Sequence, residues 1–173
     1  ESIPEGLLAS CPDITTVKGM FHGCTSLKTI PAGLFANNPS IQYFEATFAE
    51  CWSLKAIPAG LFSSIGTKTS SITFSECFAE CASLESIPAS LFDTVRRINY
   101  IDGCFENCRS LKGESPYTII VAEDGTETKV HLYERTKGDD FIYVPSSSSA
   151  HAGCFAGCIK LSDYKDMPDT WKN

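Results

Sequence analysis

The chain has no apolar run near the ~18 residues that a membrane-spanning helix needs. Its longest apolar stretch, Thr118 to Ala122, is of strand length. It has no basic patch either. Lys and Arg number 14 against 21 Asp and Glu, for a net charge of −7. Both parts of the chain are acidic, with 8 basic and 11 acidic side chains in residues 1–112 and 6 and 10 in residues 113–173. Affinity for nucleic acid rests on clustered Lys and Arg, so that class of partner is set aside. Histidine is scarce: His22, His131 and His151 are all there is, and none sits in a Ser, Cys or Gly-rich catalytic motif. No glycine-rich phosphate loop occurs. An enzyme reading has little to stand on.

What is present is a repeat. Phe-x-x-Cys-x-x-Leu occurs at Phe21/Cys24/Leu27, Phe48/Cys51/Leu54, Phe78/Cys81/Leu84, Phe105/Cys108/Leu111 and Phe155/Cys158/Leu161. The Phe residues are 27, 30, 27 and 50 positions apart. A second marker, Ile-Pro, falls at Ile3-Pro4, Ile30-Pro31, Ile57-Pro58 and Ile87-Pro88, each followed by a bulky pair such as Leu34-Phe35 or Leu61-Phe62. A further apolar column, Val17, Phe44, Phe74 and Ile101, lies four residues before each Phe. Two markers with one period, both shifted by the same three-residue insertion around Gly66 to Ser71, define a true internal repeat. The Pro in each unit and the Gly, Ser and Asn at the joints forbid one long amphipathic helix. The period predicts a chain that turns repeatedly, each unit burying its Phe, Cys, Leu and Ile against its neighbours as a solenoid.

The pattern Phe-x-x-Cys-x-Ser-Leu-x-x-Ile-Pro, with Ile14 to Leu27 a close instance, resembles the cysteine-bearing leucine-rich repeats of BspA-type bacterial surface proteins. The resemblance covers about residues 1–112 and 152–171. It implies an α/β repeat: a leucine-rich-repeat solenoid of about five coils, with short strands and helical or 3-10 turns. It also implies export, a cell-surface or extracellular location with a lipid anchor, and binding of a protein or host ligand. Families of this kind are known chiefly from gut and oral Bacteroidetes and from spirochaetes.

The fourth Phe interval carries about 23 extra residues, which divides one domain into regular repeats (1–112), an insertion (113–151) and a last repeat with a cap (152–173). Tyr117–Val121 and Lys129–Tyr133 flank Asp124-Gly125, a hairpin signal. The Ser146–Ser149 run reads as a flexible joint. At the end, Met167-Pro168 and Trp171 replace the Ile-Pro-x-x-Leu-Phe pattern, as a degenerate capping unit would. At the start, Glu1-Ser2-Ile3-Pro4 opens partway through a unit without a leader, which reads as a processed or truncated chain.

The nine cysteines admit three readings. Cys77/Cys81, Cys104/Cys108 and Cys154/Cys158 form Cys-x-x-x-Cys pairs, yet Met20 and Thr47 hold the first position of the pair in other units. Buried core thiols are therefore preferred to disulfides, and disulfides to a metal site. Cys11 lies outside both columns as the odd thiol. No cofactor is called for. His131 and Glu134, three apart on a strand, are expected on opposite faces and so not as an acid/base pair. Asp139-Asp140 reads as a solvated turn in preference to a calcium site. The candidate binding residues are the insertion's aromatics, Tyr117, Tyr133, Phe141 and Tyr143. The reading that results is a non-enzymatic surface module recognising a protein or host ligand, with carbohydrate capture through those aromatics as the alternative.

Overall fold

The computed structural model describes residues 2–66, 71–95, 97–135 and 148–173. The geometry of each repeat follows from how its backbone N–H groups divide. In the unit around Phe48, the N–H groups of Phe44, Ala46, Phe48 and Glu50 donate to the carbonyls of Thr73, Ser75, Cys77 and Ala79 in the next unit, at 2.8–3.0 Å. The intervening N–H groups turn inward instead: Thr47 donates to Phe44, Ala49 to Ala46 and Cys51 to Phe48. The alternation recurs in the units around Phe21, Phe78 and Phe105, so four bonds cross each of four junctions. The last junction keeps its four bonds although the chain makes its long detour between Lys112 and Ala152.

This alternation needs left-handed backbone at two points in every unit. Ala46 and Glu50 have φ of 51° and 59°, and Glu76 and Glu80 have 55° and 58°. Gly19/Gly23, Gly103/Asn107 and Gly153/Gly157 hold the same two places in the other units, again with positive φ. A left-handed residue every four positions breaks both the right-handed run that an α-helix requires and the continuous extension of a strand.

The expected leucine-rich-repeat solenoid of about five coils is accordingly corrected. Among the described residues there is no α-helix, and regular strand is confined to two sheets of two strands each. The first sheet pairs β1 (Ile72–Thr73) with β2 (Ile98–Tyr100) in parallel. The other pairs β3 (Tyr117–Val121) with β4 (Glu127–His131) antiparallel. Cross-repeat pairing elsewhere shrinks to single bridges such as Thr16 with Tyr43 and Ala56 with Ser86. The 3-10 turns, Leu132–Glu134, Ser148–Ala150, Tyr164–Asp166 and Asp169–Trp171, all lie C-terminal to the regular repeats. The described residues are mostly turns and coil. No helix among the described residues is long and apolar enough to cross a membrane.

Aromatic columns hold the turns together. Phe21, Phe48, Phe78, Phe105 and Phe155 stack in sequence at 5.3, 5.3, 5.6 and 5.4 Å between centroids. Phe35, Phe62 and Phe92 form a second column at 6.2 and 6.0 Å, and Phe44 and Phe74 meet both it and each other. Burying one such ring contributes about 1.5–3 kcal/mol, which substitutes for the missing regular secondary structure. At the far end Trp171 covers the column. It stacks on His151 at 4.7 Å and on Phe155 at 6.2 Å, while Gly153 and Phe155 donate to the carbonyls of Thr170 and Trp171.

In the insertion, β3 and β4 pair from Tyr117 with His131 to Val121 with Glu127. The second strand thus starts two residues earlier than the sequence suggests and ends at His131, where Leu132–Glu134 turns as a 3-10 helix. Leu132 enters the main core.

Candidate binding face

The repeat-column residues are buried throughout, from Phe21, Leu27 and Ile30 through Phe48, Leu54, Ile57, Leu84 and Ile87 to Leu111 and Leu161, with the exception of Cys24. All nine cysteines are free, Cys11 and Cys24 being the exposed ones. Burial first, then the neighbouring thiols Cys81 and Cys24, pushes the Cys51 thiol up to about 12. Burial likewise pushes Cys158 up to about 12 and holds Cys77, Cys104, Cys108 and Cys154 well above the ordinary value. Such thiols stay protonated and are inert as nucleophiles. Among the described residues no group of three or more His, Cys, Asp or Glu is placed to hold a metal ion.

Of the four aromatics singled out in the insertion, Phe141 and Tyr143 lie outside the described residues, as do Asp139 and Asp140. The Tyr117 ring lies under the Lys129 ammonium, 4.4 Å from its centroid, and that ammonium also bonds Glu114 at 2.6 Å. Tyr133 packs against the core between His131, stacked at 5.1 Å, and Trp171, met edge-on at 6.4 Å. Its burial raises the phenol well above its usual range. Both rings are partly buried and engaged within the protein.

His131 and Glu134 do meet, contrary to the expectation for a strand. Because β4 stops at His131 and the chain turns, Glu134 Oε2 accepts the His131 backbone N–H at 2.7 Å and lies 3.2 Å from Nδ1. On its other side Nε2 is 3.6 Å from Asp163 Oδ2. Asp163 is buried and accepts the backbone N–H of Ser115 at 3.1 Å and its hydroxyl at 2.5 Å. Ser, Asp and His are thus adjacent, but the serine hydroxyl points at the carboxylate and not at the imidazole. No nucleophile–base pair results. The cluster ties the base of the hairpin to the C-terminal segment.

The exposed aromatics sit elsewhere. Thr16 bridges Tyr43, Tyr43 bridges Thr73, and Thr73 pairs onward with Tyr100. These four residues precede the buried column Val17, Phe44, Phe74 and Ile101, and their side chains face outward because extended neighbours alternate. Tyr43 is 46% exposed and Tyr100 49% exposed, while Thr73 between them is almost covered. On the same side, two residues on, Glu45, Ser75 and Asp102 form a parallel row in which the Ser75 hydroxyl donates to Asp102 at 2.6 Å. Glu45 Oε2 is shielded from water and has no hydrogen-bond partner among the described residues. Farther along the same turns come Glu50, which meets His22 at 3.5 Å, Glu80, which accepts from Asn107 at 2.7 Å, and the exposed Glu106. Segments 43–51, 73–81 and 100–108 contain no Lys or Arg.

Sequence reasoning missed this face. Tyr43 and Tyr100 immediately precede the apolar column in two units, a signal visible once the units are aligned. Comparison with protein-family models, with curated proteins and with solved structures returns no match for the chain.

Proposed function

We propose that this protein is a non-enzymatic binding module and that its ligand is a protein segment carrying Lys and Arg, gripped by the face of Tyr43 and Tyr100. The observation that carries the reading is the pair of half-exposed tyrosines two rungs apart on a backbone cross-linked at every turn, on segments 43–51 and 100–108 that carry acids but no Lys or Arg. Lys18, on the adjacent first rung, is in register with Glu45. Tyrosine presents a large amphipathic ring at low entropic cost and is enriched at interface cores. The carboxylates of Glu45 and Asp102 supply acceptors for ammonium and guanidinium groups, and the surrounding acids favour encounter with a basic partner. The rigid turns keep the rings in place before binding, which reduces the ordering cost. The likeness of the Phe-x-x-Cys-x-Ser-Leu motif to BspA-type surface proteins supports placing the module outside the cell.

The test is binding of the whole chain to a fluorescent Lys/Arg-rich peptide, read by anisotropy against an acidic peptide of equal length. Saturable binding to the basic peptide is expected, weakened about tenfold or more in a Tyr43→Ala, Tyr100→Ala double variant. Glu45→Gln with Asp102→Asn is expected to flatten the salt dependence. An unchanged affinity in the tyrosine variant, or no preference for the basic peptide, would overturn the reading.

A further inference from the structure

The tyrosine face has a definite spacing. Tyr43, Thr73 and Tyr100 are successive rungs of one parallel ladder, so the two tyrosines leave the backbone two rungs, about 9.6 Å, apart. Thr73 between them is almost covered and forms a low floor, while the rings stand half exposed on either side. The backbone beneath is closed to pairing. The N–H groups of Val17, Phe44 and Phe74 donate to the carbonyls of Tyr43, Thr73 and Tyr100 at 2.7–3.0 Å, and Thr73 N donates to Gln42 O at 2.9 Å. A ligand that adds by strand pairing therefore finds these groups already taken. Its side chains would also miss the rings, because same-face residues of a strand recur about every 6.8 Å. An α-helix repeats about every 5.4 Å, and two of its turns overshoot at about 10.8 Å. The polyproline II helix turns once in three residues, over about 9.3 Å. It holds its shape without backbone hydrogen bonds, and its solvated carbonyls are open to the hydroxyl of a tyrosine.

We infer that the ligand of this face is a proline-rich segment in the polyproline II conformation, with Pro at positions i and i+3 and Arg or Lys at a position between them. The inference rests on the function proposed above and names the class of segment that is bound. One Pro packs on the Tyr43 ring and the other on Tyr100, and the intervening residues cross above Thr73. A three-fold helix turns its i+1 and i+2 side chains to opposite sides of the line that joins the two prolines. On one of those sides lie Glu45 and Asp102, each two residues along from a tyrosine and so about 7 Å away. That distance suits a long basic side chain. Lys18 stands in register with Glu45 on the same row, which leaves Asp102, with the exposed Glu106 beyond it, as the stronger acidic pole. A preformed proline helix loses little freedom on binding, and aromatic-lined surfaces are what such helices dock on.

The probe is the peptide (Pro-Pro-Arg)3-Pro, titrated into the whole chain by calorimetry beside (Gly-Gly-Arg)3-Gly, which has the same length and charge but is a flexible coil. The proline peptide is expected to bind saturably and at least about tenfold more tightly than the glycine peptide. Tyr43→Ala and Tyr100→Ala are each expected to remove that advantage, with melting temperatures close to the wild type's because both side chains lie at the surface. Asp102→Asn is expected to narrow the preference for the arginine peptide over (Pro-Pro-Glu)3-Pro. Equal affinity for the proline and glycine peptides would overturn the inference and leave the basic-ligand reading standing. Binding of neither at about 1 mM would overturn both. Binding of a β-1,4-linked glucose hexamer in place of either peptide would assign the rings to a sugar and overturn both as well.

Discussion

Cys81 donates its thiol hydrogen to the backbone carbonyl of Phe48, 3.2 Å away and one repeat earlier. Cys51, Cys108 and Cys158 do the same to Phe21, Phe78 and Phe105 at 3.3, 3.1 and 3.0 Å. The position therefore asks for a side chain small enough to pack in a dense column and able to offer a weak hydrogen. Cysteine meets both demands, which alanine and valine do not.

Cys108→Ala is expected to lower stability by about 1–3 kcal/mol, combining lost packing with a lost weak bond. The cost stays moderate because Phe78 O keeps the N–H of Cys81 and is not left bare. Cys24→Ala, at an exposed thiol, is expected to change stability by less than about 0.5 kcal/mol. Urea unfolding of the two variants makes the comparison, and equal losses would contradict the role given to the column.

The buried thiols also make a pH prediction. Burial raises Cys51 and Cys158 to about 12, and Cys77, Cys104, Cys108 and Cys154 stand well above 9.0. In the unfolded chain they ionise near 9, so above that pH the folded state holds more protons than the unfolded state. Stability is then complete below about pH 9 and falls as pH rises toward 12, by at most about 1.4 kcal/mol per unit for each thiol. Urea midpoints at about pH 8 and about pH 10.5 measure the slope. Cys104→Val should make it shallower, and a flat profile would refute the burial of the group.

The columns were legible because Phe, Cys and Leu recur in register, and all of them but the exposed Cys24 fall in the core where the spacing puts them. The local conformation was not legible from those apolar residues. Its signal lay in the polar positions: Gly19 and Gly23 in one unit align with Ala46 and Glu50 in the next, and with Gly103 and Asn107 later. Aligned, they mark two left-handed sites per unit, but Glu50 and Glu80 alone read as ordinary surface residues. The His131–Glu134 contact was missed for a related reason, since the strand argument holds only while the strand continues. Tyr133, a candidate binding residue, packs beside the capping Trp171, whose approach nothing in the local sequence announces.

Phe78 has rings on both sides, Phe48 at 5.3 Å and Phe105 at 5.6 Å. Phe78→Ala opens a void between two units and is expected to cost about 3–5 kcal/mol. Trp52, the larger residue but 53% exposed, is the control. Trp52→Ala is expected to cost less than about 1 kcal/mol. Thermal melts of both variants provide the check, and a reversed order would mean that the stack is not what holds the turns together.

Arg135 buries its guanidinium against Asp93, 3.5 Å away, and donates to the Thr118 hydroxyl, while Nε and Nη1 find no partner among the described residues. Burial lowers its pKa, and Asp93 only partly offsets this. An apolar side chain of similar length avoids that desolvation, so Arg135→Met is expected to be neutral or stabilising by about 1 kcal/mol. Asp93→Asn should destabilise, because it leaves the buried cation without its carboxylate. A marked loss in Arg135→Met would show that the guanidinium does more than its visible contacts indicate.

The hairpin divides into a base that belongs to the core and a tip that does not. At the base, Leu132 is fully buried, Leu132 N donates to Pro116 O at 2.8 Å, and Tyr117 N donates to Ala89 O at 3.0 Å. Ser115 and Asp163 add a buried polar tie to the C-terminal segment. Toward the tip, Val121 is 62% exposed and the strand residues from Glu127 to Lys129 are exposed. Ile119 faces Lys129 across the ladder, so residues 120–128 can be replaced by Asn-Gly, which closes a two-residue turn between a paired couple of strand residues. The shortened chain is expected to melt within about 3 °C of the wild type, since little apolar area leaves the core. Leu132→Ala is expected to cost about 2–5 kcal/mol, because the cavity opens within the main cluster. If the shortened variant failed to fold while Leu132→Ala melted normally, the exposed tip and not the buried base would be what fastens the insertion to the repeats.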